Sequence, residues 1–247
     1  MSDGWRGETV TLSGVTMPLD TDLMRGGVLT AMRDGSYERG EVTALAALLK
    51  PGDRVLDLGS GFGLTATFAA KSAGVDRVVT FDANPRVAPH LARMQALNGV
   101  AFEARQGVLI PGRRAGTRRF FLRPLIWGSS LSDQAAIAGT PVEVLAHPAA
   151  PLMHDLRPSL ISCDIEGAEV DLLPRLDLSG VRALVIEQHP QVVGARALGA
   201  LRAHLRRAGF APRPDLAHDD VEAYVRAAPA ARPLRLAWAL RRAVTPR

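Results

Sequence analysis

Three clusters of acid and glycine are where this chain could do chemistry. The first is VLDLGSGFG, Val55–Gly63, where an apolar run reaches Asp57 and glycines follow at Gly59, Gly61 and Gly63. Such glycines let the backbone turn sharply and approach a ligand closely. A helix opening straight after them turns its free N–H groups and positive dipole end toward whatever binds. The second cluster is VVTFDANP, which sets Asp82 at the end of the next apolar run, 82 − 57 = 25 residues after the first acid. An acid at that strand end can accept both hydroxyl protons of a ribose, or it can cap a helix starting at Asn84-Pro85. The third is SLISCDIEGAEVDLL, Ser159–Leu173, with Asp164, Glu166 and Glu169 inside six residues. Carboxylates this close repel one another unless a cation or a substrate meets them. Glu169 reads as an ordinary acid at a helix N-terminus, whereas Asp164 and Glu166 read as functional.

Two cofactor classes compete for the glycine turn. A dinucleotide site wants G-x-G-x-x-G, and counting from Gly59 its third glycine would fall on Leu64. The spacing here is G-x-G-x-G with an acid two residues ahead, and an acid at the strand end repels a pyrophosphate. S-adenosylmethionine carries a sulfonium and an ammonium, so the same acid attracts it. The spacing therefore favours S-adenosylmethionine. Its expected contacts are Asp57, Gly59, Ser60, Gly61, Phe62 and Gly63 in the turn, and Asp82 and Asn84 after the second strand.

The elements that must position these residues follow from the apolar rhythm. Thr9 to Met17 alternates like a strand or hairpin. Asp20 or Thr21 caps an expected helix through Leu23 and Met32 that ends at Asp34-Gly35, and a second helix runs from Glu41 to Leu49. Together they look like a cap ahead of the main domain. From Arg54 the pattern becomes strand, turn, helix: RVLDL, a helix over Leu64–Ala73, RVVTFD, a helix over Pro85–Leu97, then the strand VAFEA. The middle, Arg105 to Pro158, reads as an extra hairpin and loops. SLISCD, a helix at Ala168–Leu173, VRALVIEQ, a helix at Ala195–Ala208 and strands at Phe210–Pro212 and Val221–Arg226 complete the pattern. Alternating strands and helices predict a parallel sheet covered on both faces. The expected division is an N-terminal hairpin and helical cap over 1–50, the main domain over 51–230 and a basic tail over 231–247.

Composition bounds the answer. The chain has 247 residues, 47% apolar and 22% charged, which suits one α/β domain able to bury a core unaided. Its single cysteine, Cys163, excludes a disulfide framework and a Cys-rich zinc site, and reads as a small buried side chain. The net charge of +5 comes from arginines scattered through Ala- and Pro-rich sequence, with no basic block interleaved with aromatics, so nucleic acid is not an expected partner. No transmembrane stretch and no secretory signal are evident, which makes the cytoplasm the expected compartment. His154-Asp155 lacks a serine in a nucleophile-elbow context. The segment PLRLAWALRRAV near the C-terminus reads as a docked amphipathic helix, with a membrane-surface role as the alternative.

With these motifs in place the chain resembles a known family. DLGSGFG at 57–63, FDANP at 81–85, DIEGAE at 164–169 and GSYERGE at 35–41 are similar to the FkbM-type methyltransferases, class I enzymes that use S-adenosylmethionine. LNG at 97–99, WGSSL at 127–131 and Glu187 in VIEQHP are similar too. The resemblance covers about Gly35 to His189. It implies a three-layer Rossmann-like sheet of seven strands with the last antiparallel, and methyl transfer to a hydroxyl of a small molecule, sugar or lipid-linked acceptor. It also implies that Tyr37 and Glu38 close over the cofactor and that Asp164 and Glu166 lie near the reacting centre. The turn departs from the family at Ser60 and Phe62, and the Leu-Asp pair expected before the fourth strand is replaced by HPAAPLMHDL.

A hydroxyl acceptor needs a base or a metal. Asp164 and Glu166 are the first candidates, and His189, whose ordinary pKa lies nearer neutrality, is another. A Mg²⁺ held by Asp164, Glu166 and Glu187 is an option but not the expected one. A nicotinamide-dependent oxidoreductase and a non-catalytic S-adenosylmethionine-binding protein stay open as alternatives, and so does homo-oligomer formation.

Overall fold

A computed structural model describes residues 5–123 and 139–227. WGSSL, the C-terminal amphipathic segment and the tail over 231–247 lie outside the described residues. The N-terminal run forms the expected hairpin, β1 (Thr9–Leu12) and β2 (Val15–Pro18). Helix α1 (Gly27–Asp34) ends where expected, on a left-handed Gly35, but starts later than the sequence suggests. Asp20 instead closes a turn, its carbonyl accepting from Met24 N at 2.7 Å, and its carboxylate pairs with Arg93 at 2.8 Å. Helix α2 (Arg39–Leu48) follows.

The central sheet contains β3 (Arg54–Leu58), β4 (Arg77–Asp82), β5 (Glu103–Gln106), β9 (Leu160–Cys163), β10 (Ala183–Glu187), β11 (Phe210–Pro212) and β12 (Val221–Arg226), in the order β11-β12-β10-β9-β3-β4-β5. Strands β3, β4, β5, β9 and β10 pair in parallel, and β12 runs antiparallel to β10 and β11. This is the Rossmann-like order of seven strands with the last antiparallel. The alternation of side chains explains the layers. Leu56, Leu58, Ile161 and Ile186 face one side, under α5 (Ala149–Leu156), α6 (Glu169–Leu172) and α7 (Pro190–Arg207). Val55, Leu160, Ala183 and Val185 face the other, under α2, α3 (Leu64–Lys71) and α4 (Ala88–Asn98). The hairpin and α1 pack through Val15, Met17 and Met32 on Phe62, Leu64 and Met94.

The middle is more regular than its prolines suggest. Beside the sheet, β6 (Val108–Ile110), β7 (Gly116–Leu122) and β8 (Thr140–Pro148) make a separate three-stranded sheet in the order β6-β8-β7. HPAAPLMHDL is not irregular. Its last residues are α5, the crossover into β9, which buries Leu152, Met153 and Leu156 against the core. Proline stands near the N-terminus of that helix, where a missing N–H costs little. α7 also begins earlier than expected, at Pro190, with a kink at Gly194.

Candidate active site

Register decides what shares the carboxyl edge. Leu58 pairs with Phe81 and with Cys163, and Cys163 pairs with Ile186. The next residues along each strand, Gly59, Asp82, Asp164 and Glu187, therefore stand at one edge. The strand order reverses between β3 and β9, and in open α/β sheets ligands bind at such a reversal. A cleft of about 420 Å³ opens there. Its walls are the glycine turn, the loops after β4, β5 and β9, the Ser36–Glu41 segment ahead of and within α2, and the His218–Asp220 loop.

The glycine turn is pinned from beneath. Gly59 N and Ser60 N both donate to Phe81 O, at 2.9 and 3.0 Å. Gly59 has φ +85°, and a Cβ there would lie 1.6 Å from the Asp164 carbonyl oxygen, so only glycine lets the β3 and β9 backbones approach this closely. Gly61 opens toward the cleft, where a Cβ would meet Tyr37 Oη at 3.0 Å and Glu38 Oε1 at 3.3 Å. Gly61 N donates to Asp82 Oδ2 at 2.9 Å and Asn84 N to Asp82 Oδ1 at 2.7 Å, leaving each oxygen further lone pairs. Burial pushes the Asp82 carboxyl up to about 6.

Of the residues expected to touch a cofactor, Glu38, Gly59, Gly61, Phe62, Asp82 and Asn84 line the cleft. Asp57, Ser60 and Gly63 do not. Asp57 lies inside β3 rather than at its end, and strand parity turns its side chain into the helix-covered face. There it is 2% exposed and accepts from Thr65 Oγ1 at 3.0 Å and Thr80 Oγ1 at 2.6 Å. Ser60 is fully buried with its hydroxyl against that of Thr80, and Gly63 packs against Leu91. The side chain of Phe62 is buried edge-on between Tyr37 and His90, so it anchors the turn to the N-terminal layer.

The acids after β9 form a second centre. Asp164 and Glu166 line the cleft, and His189, 5% exposed at the start of α7, sits behind them. Its Nδ1 is 3.2 Å from Glu169 Oε1, and its Nε2 is 3.4 Å from Asp164 Oδ1 and 3.5 Å from Glu166 Oε2. Glu169 is thus not a solvated helix-end acid. It is fully buried, accepts from Gly167 N at 2.9 Å and orients His189. The sequence suggested Glu187 as the third group beside Asp164 and Glu166; it lines the cleft, but the cluster with ligand geometry is Asp164, Glu166 and His189. His154-Asp155 is an exposed pair that does not line the cleft, and Cys163 is a buried strand residue.

Electrostatic strain concentrates in this cleft. Burial, with Glu187, Glu166, Glu38 and Glu41 nearby, raises the Asp164 carboxyl well above its usual range. Glu38 is raised likewise by burial and by Glu41. Glu41 is pushed to about 7 by burial and by Glu187. Burial opposes charge on His189, but the hydrogen bond to Glu169 and the surrounding carboxylates outweigh it and raise its pKa. Glu38 and Glu166 also hold left-handed backbones, at φ +46° and +53°, a conformation costing a non-glycine residue roughly 1–3 kcal/mol. Sequence reasoning missed Glu41 and the Asp219-Asp220 pair as cleft residues. A carboxylate among the apolar positions of α2 was the available signal for Glu41; Asp219-Asp220 carried none.

No family model matches the chain, and no curated protein does. Among solved structures it is similar to a ribosomal protein L11 methylase from Lactobacillus delbrueckii subsp. bulgaricus, at 18% identity over 84% of this chain and 82% of that one, with a TM-score of 0.45. It is also similar to Aeropyrum pernix fibrillarin in complex with S-adenosyl-L-methionine, at 14% identity, 75% and 73% coverage and a TM-score of 0.43. A TehB-like SAM-dependent methyltransferase from Corynebacterium glutamicum gives 16% identity, 80% and 93% coverage and a TM-score of 0.41. Likeness of this order carries no argument about activity, which must come from the cleft itself.

Proposed function

We propose that the chain is an S-adenosylmethionine-dependent methyltransferase acting on a hydroxyl of a small-molecule, sugar or lipid-linked acceptor. The observation that carries this reading is the density of carboxyl groups in the cleft, which a cationic ligand would draw into their charged form. Glu38, Glu41, Asp82, Asp164, Glu166, Glu187, Asp219 and Asp220 line it, with Arg39 the one guanidinium among the described lining residues. Such a wall repels the pyrophosphate of a dinucleotide and attracts a sulfonium and an ammonium. The residues present fit this cofactor in other ways. Asn84 Nδ2 is a buried donor with no partner among the described residues. Ala83, Val108, Leu109 and Phe120 give an apolar wall suited to a flat base. Gly61 brings the backbone of the turn close to Tyr37 and Glu38 with no side chain between them.

In this reading Asp82 holds the ribose hydroxyls, Asn84 and the apolar wall hold the base, and Glu38 with the acids of the edge faces the cationic end. Tyr37 and Glu38 close the turn side. The bound cofactor supplies an already activated methyl group. The protein's task is to align an acceptor oxygen and remove its proton. Asp164 Oδ1, buried and without a hydrogen-bond partner among the described residues, is the first candidate to take that proton, and Glu166 and His189 stand beside it. The raised pKa of Asp164 lets it exchange a proton nearer neutrality than an exposed carboxylate can.

Calorimetry of the purified chain with S-adenosylhomocysteine and with NAD⁺, followed by transfer of labelled methyl groups to hydroxyl- and amine-bearing acceptors, tests the proposal. Binding of the former alone, with label entering a hydroxyl, is expected. Binding of NAD⁺ alone overturns the cofactor assignment, and label entering only amines overturns the hydroxyl.

A further inference from the structure

We propose that Asp164, Glu166 and His189 form a binding site for one divalent cation of the class that accepts both carboxylate oxygen and imidazole nitrogen, Mn²⁺ or Zn²⁺ in preference to Mg²⁺. Three observations carry it. First, one ligand atom from each residue lies within 4.8 Å of the others, and Nε2 of His189 is 3.4 and 3.5 Å from the two carboxylate oxygens. Those separations exceed the usual N–H···O range. They match two donors sharing an ion: bonds of about 2.1 Å at a tetrahedral angle put donors roughly 3.4 Å apart.

Second, the imidazole is oriented for it. His189 is more than nine-tenths buried, and its Nδ1 faces the carboxylate of Glu169, which is itself fully buried and also held by Gly167 N. With Nδ1 directed at Glu169, Nε2 is the ring atom that faces the two carboxylates. A carboxylate behind a histidine is the arrangement that fixes the tautomer of metal-binding imidazoles. Third, Asp164 Oδ1 is a buried oxygen with no hydrogen-bond partner among the described residues, and it is the atom that faces Nε2. Carboxylates converging on one imidazole favour a positive charge between them, which a bound cation can supply. Two oxygens and one nitrogen suit Mn²⁺ or Zn²⁺; Mg²⁺ prefers all-oxygen shells. Asp164 and Glu166 also line the cleft, so the remaining coordination positions open toward an acceptor oxygen.

The site stands independently of the cofactor reading, and one protocol separates them. The full chain, stripped with a chelator and dialysed, is titrated with Mn²⁺ by electron paramagnetic resonance and, in parallel, with S-adenosylhomocysteine by calorimetry. One tightly bound Mn²⁺ per chain is expected. Affinity should fall at least about tenfold in Glu166→Gln and His189→Gln, and about 10- to 100-fold in the positioning variant Glu169→Gln. Circular dichroism confirms folding of each variant. Should His189→Gln fail to fold, Glu166→Gln and anomalous scattering from Mn²⁺-soaked wild-type crystals replace it. No bound Mn²⁺ or Zn²⁺, or binding that survives both ligand substitutions, overturns the site. Loss of S-adenosylhomocysteine binding with Mn²⁺ retained overturns only the cofactor reading.

Discussion

Replacing Asp82 by asparagine should weaken cofactor binding while leaving the fold as stable as before or more so. Asp82 is the residue whose burial and ligand role pull in opposite directions. Its carboxyl is pushed from 3.8 to about 6 by burial. At roughly 1.36 kcal/mol per pKa unit, holding the ionised form in the fold costs about 3 kcal/mol at pH 7. The sign follows from linkage. Below pH 4 both folded and unfolded chains carry the proton; between about 4 and 6 the unfolded chain loses it first, so stability falls as pH rises through that window. Asparagine removes this cost. It also turns an NH₂ toward one of the backbone donors now pointing at the carboxylate, Gly61 N or Asn84 N, which loses about 1–3 kcal/mol. The two terms nearly cancel, so the melting temperature at pH 7 should be unchanged or slightly raised. Binding has no such compensation. Losing one charge-assisted bond to a ribose hydroxyl costs about 1.5–3 kcal/mol, a roughly 10- to 100-fold weaker S-adenosylhomocysteine affinity. Wild-type affinity should also weaken as pH drops through about 6, because the protonated carboxyl is a poorer acceptor, and the variant should lack that dependence. Calorimetry at pH 5 to 8 with scanning calorimetry on both proteins reads every quantity. A variant that melts lower but binds unchanged would refute the ribose role and make Asp82 a purely structural clamp on the turn.

Gly61→Val should fold and yet abolish S-adenosylhomocysteine binding, because its side chain enters the space between Tyr37 and Glu38; an intact isotherm would contradict the assignment of the turn. Asp57→Ala should lower the melting temperature, leaving the Thr65 hydroxyl unpartnered at about 1–3 kcal/mol while Thr80 keeps only Ser60, with affinity within about threefold of wild type. A selective loss of affinity would return Asp57 to the cofactor site. Asp164→Asn should reduce turnover far more than cofactor affinity, and the reverse pattern would remove it from the proton-accepting role.

What the sequence could show was position along a strand; it could not show which face each strand residue presents. Asp82 and Asp164 were legible because acids directly after apolar runs must reach the carboxyl edge. Asp57 looked equivalent, but Leu58 still belongs to β3, and one extra residue turned Asp57 inward. The contact of Glu169 with His189 joins residues 20 apart on different helices, and no local pattern announces it. Likewise Glu41 meets Glu187 only because α2 packs on β10. In the middle of the chain, prolines at 148, 151 and 158 looked like loop punctuation, whereas Pro148 and Pro158 flank α5 and Pro151 lies in its first turn.

The central claim is that an acid-lined edge selects a cationic methyl donor over a phosphate-bearing nucleotide. Equilibrium dialysis with labelled S-adenosylmethionine, challenged by excess S-adenosylhomocysteine and separately by excess NADH, tests it most directly. The account predicts one donor bound per chain, displaced by S-adenosylhomocysteine and untouched by NADH. Displacement by NADH, or no donor retained at millimolar concentration, would contradict it.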